Sequence, residues 1–156
     1  MSCSLINVKR DILTIKVGKV LDLFISRVGD SKRAKKLEIT ADKNGILEDK
    51  FYAKNIQRSI LITTLDSYKL ASQNGIFVER GSLGENILID YNPYHLPIGS
   101  RLVIGKVILE ITQNCTLCKS LTKVDKKLPK LLKDDRGIFA KIIKSGTITR
   151  GDIIYI

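Results

Sequence analysis

The chain predicts a mainly β, β-rich α+β fold, barrel-like, with a few short helices. Three observations carry this. Short apolar runs rich in β-branched residues recur along the sequence, and glycine, proline or asparagine punctuates them at close intervals. The regular alternation of strands with long helical segments that a doubly wound sheet requires is missing. At 156 residues the chain fits one compact core that needs neither disulfide nor metal. No repeat, linker or low-complexity tract divides it, so residues 1–156 are expected to form a single domain.

Taken in order, residues 11–17 and 20–26 are apolar or alternating on either side of Gly18-Lys19, which predicts a hairpin turning there. Further strands are expected over 37–39 and 59–63, with a polar connection between them. Leu65, Tyr68, Leu70 and Ala71 stand at helical spacing, so 65–74 is expected to be a helix, with Thr63 or Thr64 as cap and Gly75 as stop. Two prolines and a glycine within 91–99 make that segment a loop. Residues 101–104 and 106–112 form a second expected hairpin about Gly105, and its second strand delivers the chain to Cys115 and Cys118. The basic, leucine-bearing stretch 123–133 has Pro129 either starting or breaking a short helix. Residues 137–143 and 152–156 close the sheet, separated by turns at Gly146 and Gly151.

Composition bounds the function. A hydrophobic content of 44% with 28% charged residues is that of an ordinary globular protein, and no stretch is apolar for long enough to cross a bilayer. The N-terminal residues lack the basic, apolar, small-residue order of a secretion signal, so a cytoplasmic location and no membrane association are expected. Three cysteines, an odd number, favour reduced thiols over a disulfide framework. A formal charge of +11 attracts an anionic partner, although runs such as 31–36 and 126–127 are also what solvated faces carry. No aromatic residues interleave with these runs, so nucleic acid is not favoured.

The segment Gly81-Ser82-Leu83-Gly84-Glu85-Asn86-Ile87 sets a carboxylate and a carboxamide between two glycines and an apolar run. That arrangement suits a presented polar site. Cys115-Thr116-Leu117-Cys118 follows a strand and has dithiol spacing, with Cys115 as the resolving thiol, but without the βαβ context of thioredoxin. Zinc is not expected, because only Cys3 and His95 remain to complete four ligands. His95, the only histidine, sits in a proline-bounded loop and is expected to be exposed.

In order and spacing the chain resembles the MOSC family, the domain named for the C-terminal part of molybdenum-cofactor sulfurase and also found as small stand-alone bacterial proteins. The matching residues are Gly84-Glu85-Asn86 before an apolar strand, Glu110-Ile111-Thr112-Gln113 with Cys118 beyond, Arg136-Gly137-Ile138-Phe139-Ala140, and Gly146 with Gly151-Asp152. Upstream, the stretch 45–51 and Arg58-Ser59-Ile60-Leu61 fall where the family has a glycine-aspartate-x-histidine segment and an arginine entering a strand. The likeness spans about residues 10–156. Two departures stand out: Glu48 and Phe51 replace the family's glycine and histidine around Asp49, and Cys115 precedes the shared cysteine.

The resemblance implies a barrel-like domain and a sulfur site at Cys118, where a thiolate assisted by Lys119 and Arg136 carries persulfide sulfur or ligates molybdenum in a molybdopterin cofactor. It implies Arg58 and Arg136 as phosphate clamps, Glu85 and Asn86 as contacts to the pterin or supports of the sulfur loop, and the amides of Gly84 and Gly137 facing the ligand. Implied partners are a pyridoxal-phosphate cysteine desulfurase or molybdenum-cofactor enzymes. Four readings stay open: sulfur carrier or cofactor-binding module, molybdenum-dependent reductase of N-hydroxylated compounds, C-x-x-C dithiol protein, and basic binding module without catalysis.

Overall fold

The structure, a computed structural model, describes residues 14–30, 32–116 and 119–156. Cys118 and the first residues of the expected N-terminal hairpin lie outside the described residues. A barrel of seven strands forms the core: β1 (Lys16–Ile25), β5 (Ile60–Thr64), β6 (Ile87–Ile89), β7 (Arg101–Ile104), β8 (Val107–Asn114), β9 (Ile138–Lys144) and β11 (Ile153–Tyr155). Their order is β11-β7-β8-β9-β5-β6-β1, and pairing of β11 with β1 closes the circle. Closure removes the exposed edges that an open sheet would present. Only β5 and β6 run parallel, which requires a crossover between them; it includes α1 (Leu65–Gln73).

Outside the barrel, β2 (Ala34–Lys36) extends β1, while β3 (Glu38–Asp42), β4 (Gly45–Ile46) and β10 (Gly146–Thr149) form a separate small sheet in the order β10-β3-β4. The barrel interior is aliphatic, with Leu23, Ile60, Ile62, Ile87, Leu102 and Leu109 fully buried. A second cluster, including Tyr68, Leu83, Leu88, Leu121 and Leu128, seats α1, α2 (Lys119–Val124) and α3 (Leu128–Leu131) on the barrel's outside. Pro129 occupies the first turn of α3, where the missing N–H costs nothing.

Two expectations are corrected. Gly18-Lys19 is not a turn: β1 runs straight through it, first paired with β11 and then with β6, with a register shift between Lys16 and Gly18. The glycine is needed for space, since a Cβ there would lie 2.3 Å from Asp90 Oδ1, on the loop that also accepts the Lys19 amide. Gly146 likewise starts a strand, β10, which pairs with β3 and inserts between the two closing strands.

Candidate functional site

One open cleft of about 850 Å³ lies outside the barrel wall, large enough for a cofactor-sized ligand. Segments far apart in sequence build it: the end of β1, the loop to β2, the turn after β4, the 3-10 turn Ile56–Arg58, the 79–86 segment, Cys115, the end of α2, and Arg136 with Phe139. Among the described residues that line it, eight are lysine or arginine and one, Glu79, is acidic. Such a wall concentrates anions.

The turn after β4 presents Lys50, Phe51 and Lys54 to the cleft. Asp49 shapes this turn from beneath: it is buried, and its carboxylate accepts from the amides of Ser26 (2.7 Å) and Phe51 (3.2 Å). Glu48, where the family carries glycine, has φ +71°, and Ala53 has φ +60°. Left-handed backbone costs about 1 kcal/mol or more for a residue with a Cβ, so the chain is strained at both positions. Phe51 stands half-exposed under the Lys50 ammonium, 5.1 Å from the ring centroid.

Arg58 follows from the 3-10 turn that Asn55 caps through the Gln57 amide. Its guanidinium lies over the Phe139 ring at 4.4 Å, and its Nε is buried without a hydrogen-bond partner among the described residues. Arg136 is 6% exposed and donates from Nη2 to the Leu83 carbonyl at 3.4 Å. Cys115, on the same wall, is 3% exposed, with its amide donating to the Gly137 carbonyl.

Glu85 and Asn86 occupy structural positions. Glu85 is fully buried and is not part of the cleft lining. Its Oε2 accepts from the Tyr68 hydroxyl (2.5 Å) and the Gly81 amide (3.2 Å), which ties the glycine-framed turn to α1. Burial pushes its carboxyl pKa up, and the Tyr68 hydrogen bond opposes this only in part. Tyr68, itself buried beside this carboxyl, is raised too. Asn86 borders the cleft, but its amide is committed: Oδ1 accepts from the Leu61 amide (3.0 Å) and Nδ2 donates to the Phe24 carbonyl (3.2 Å). Gly84, at φ +88°, lines the floor, where a Cβ would come within 3.7 Å of Arg136 Nη2. Gly137 serves strand packing and is not part of the lining; a Cβ there would lie 2.9 Å from the Ile62 carbonyl oxygen.

A raised carboxyl pKa fixes a pH signature. The folded chain binds the Glu85 proton more tightly than the unfolded one. This group's contribution is therefore fully favourable below the unfolded pKa of about 4.3 and is lost as pH rises through the higher folded value. Glu85→Gln removes the titration, so its stability relative to the parent will rise as pH climbs from about 4 toward neutrality. Urea unfolding of both proteins over that interval checks it; a difference that does not change with pH overturns the assignment.

Sequence reasoning did not single out Arg33, Lys50, Lys54 or Arg80, all of which line the cleft. Arg80 is held at the rim by Asp22, which is 1% exposed and also pairs with Lys35 and Arg150. Burial pushes the Asp22 carboxyl up, but hydrogen bonds from Arg80 and Lys35 outweigh this and leave it below the ordinary value. The one available sequence signal was an aspartate inside an otherwise apolar run, Leu21-Asp22-Leu23, since an unpaired charge cannot stay buried there.

The described residues contain no cluster of three or more His, Cys, Asp or Glu side chains able to hold a metal ion, and no helix among them is long and apolar enough to cross a membrane. A family model described as MOSC domain matches residues 34–155. Comparison with curated proteins finds no match. Among solved structures, the YuaD protein from Bacillus subtilis is similar with a TM-score of 0.80 at 16% identity, over 91% of this chain and 96% of that one. YiiM from Geobacillus stearothermophilus gives 0.66 at 14% identity, over 92% and 75%, and YiiM from Escherichia coli 0.63 at 14%, over 88% and 69%. At these identities the likeness is one of fold.

Proposed function

The chain belongs to the MOSC domain family, and from that premise we propose that it is a molybdenum-cofactor-binding module whose cleft holds the anionic, phosphate-bearing pterin. The observation that carries this reading is the charge of the cleft, eight cations against one carboxylate in a space sized for a cofactor. Carrying a single persulfide sulfur needs one or two cations beside a thiolate; a wall of this charge suits a larger polyanion.

The donor set fits the group. Arg58 Nε is buried without a partner among the described residues, and an anionic ligand relieves that cost. Arginines of the lining, Arg136 among them, meet phosphate with a planar fork of donors. Phe51 and Phe139 add aromatic surface to the lining, each with a cation over its ring, beside which a planar ring can pack. Asn86 and Glu85 act one step back, by fixing the strand and the turn that form the floor. When bound, the cofactor would supply redox chemistry at molybdenum, and Cys118 is the candidate sulfur ligand.

Elemental analysis of protein purified from a host that makes the cofactor tests this directly. The expected result is stoichiometric molybdenum, lost in Cys118→Ala. Protein that stays metal-free yet gains cyanolysable sulfur from a pyridoxal-phosphate cysteine desulfurase and cysteine overturns the reading in favour of sulfur carriage, and Cys115→Ala then shows whether a second thiol takes part. Metal-free protein that gains no sulfur, and binds macromolecules only at low salt, overturns both in favour of a basic binding module.

A further inference from the structure

Arg33 is a cleft cation with unused donor capacity beside the floor that Gly84 forms. It sits in the loop between β1 and β2, half-buried, and its guanidinium makes one hydrogen bond among the described residues, from Nη1 to the Glu85 carbonyl at 3.3 Å. Two carboxylates lie near enough to act on it, Asp49 and Glu85, but neither is hydrogen-bonded to it. The Asp49 oxygens are taken by the Ser26 and Phe51 amides and Glu85 Oε2 by Tyr68 and the Gly81 amide, while Glu85 Oε1 is buried with no partner among the described residues, Arg33 included. A guanidinium has five N–H donors, so most of those on Arg33 remain for the cleft it lines.

Arg136 reaches the same floor. Arg33 donates to the carbonyl that follows Gly84 and Arg136 to the one that precedes it. Between the two accepting carbonyls lies Gly84 itself, whose missing Cβ leaves the floor open. Arg58 differs. Its guanidinium carbon sits 4.4 Å from the Phe139 ring centroid, a cation over an aromatic face beside which a planar group can pack.

We propose that Arg33 and Arg136, straddling Gly84, form the seat for a phosphate monoester, and that Arg58 on Phe139 is a stacking shelf for the planar ring attached to that phosphate. The cleft's ligand is thereby oriented, phosphate toward the β1–β2 loop and ring toward β9. This rests on the reading of the cleft as a site for a phosphorylated heterocycle and deepens it: the phosphate clamp contains Arg33 and not Arg58.

The test uses flavin mononucleotide and riboflavin as probes, a planar heterocycle with and without a phosphate monoester, read by fluorescence anisotropy on the full chain at fixed ionic strength. The parent is expected to bind the phosphorylated probe at least about tenfold more tightly than riboflavin, with inorganic phosphate competing. Arg33→Gln should lower affinity for flavin mononucleotide about tenfold and leave riboflavin unchanged, with Arg33→Lys in between because it keeps the charge and loses the fork. Arg58→Ala should weaken both probes alike. Circular dichroism of each variant confirms folding, and Lys130→Gln, an exposed change outside the cleft, serves as the control. Lack of discrimination by the parent, or an Arg33→Gln variant that binds flavin mononucleotide normally, overturns the seat. The molybdenum content of the same preparations is read separately. Metal-free parent protein with the expected probe pattern sinks the cofactor reading and leaves the seat standing; molybdenum-loaded protein with no Arg33 effect does the reverse.

Discussion

Replacing Asn86 with alanine is expected to lower the unfolding free energy by about 3 kcal/mol, seen as a reduced urea midpoint at unchanged slope. The side chain is 4% exposed and joins two strands that are distant in sequence, taking the Leu61 amide on β5 and giving to the Phe24 carbonyl on β1. Its main chain repeats the link, donating to the Leu61 carbonyl and accepting from the Phe24 amide. Truncation leaves one buried donor and one buried acceptor with neither protein nor easy water access, and each costs about 1–3 kcal/mol. Asn86→Asp is expected to be no better, because a second acceptor then faces the Phe24 carbonyl. A loss below about 1 kcal/mol together with a large loss of ligand affinity would show that the amide serves the ligand and not the frame.

Gly137→Ala is expected to cost about 2–3 kcal/mol. The added Cβ meets the Ile62 carbonyl oxygen at 2.9 Å and Leu61 Cδ1 at 3.0 Å, and a carbonyl within a paired strand cannot move aside as a flexible side chain would. The change also reaches the cleft. Arg136 precedes this glycine, and its carbonyl accepts from Thr63 on β5, so pushing the start of β9 away from β5 displaces the guanidinium. Thermal unfolding should fall and the affinity for inorganic phosphate should weaken in the same variant. Unchanged stability would mean that the strands separate without cost and that the glycine is not needed for close approach.

Strands whose apolar residues alternate or cluster between turn residues, such as Ile60–Thr64 and the hairpin about Gly105, were legible from local pattern because one face of each must leave water. The helix Leu65–Gln73 was legible for the same reason, with Gly75 at φ +77° ending it. Gly18 was misread. Glycine beside lysine between two apolar runs looks like a turn, whereas its reason lies 72 residues away in Asp90, a steric demand that no local window contains. Glu85-Asn86 was legible as special but not in its role. Two polar residues framed by glycines fit a presented site and a buried brace equally well, and only the positions of Tyr68, Leu61 and Phe24 decide between them.

The letters alone determined the strand-rich class, the absence of a long apolar span, the excess of positive charge and the family likeness, because each depends on composition, short-range periodicity or ordered motifs. Tertiary structure decided where that charge goes. Lys50 and Lys54 arrive on a turn held by Asp49, Arg80 is pinned by Asp22, and Arg33 and Arg136 meet across Gly84 from opposite parts of the chain. Charge is a property of residues and can be counted along a line. Convergence is a property of barrel closure, which brings distant segments to one wall, and no nearest-neighbour pattern encodes it.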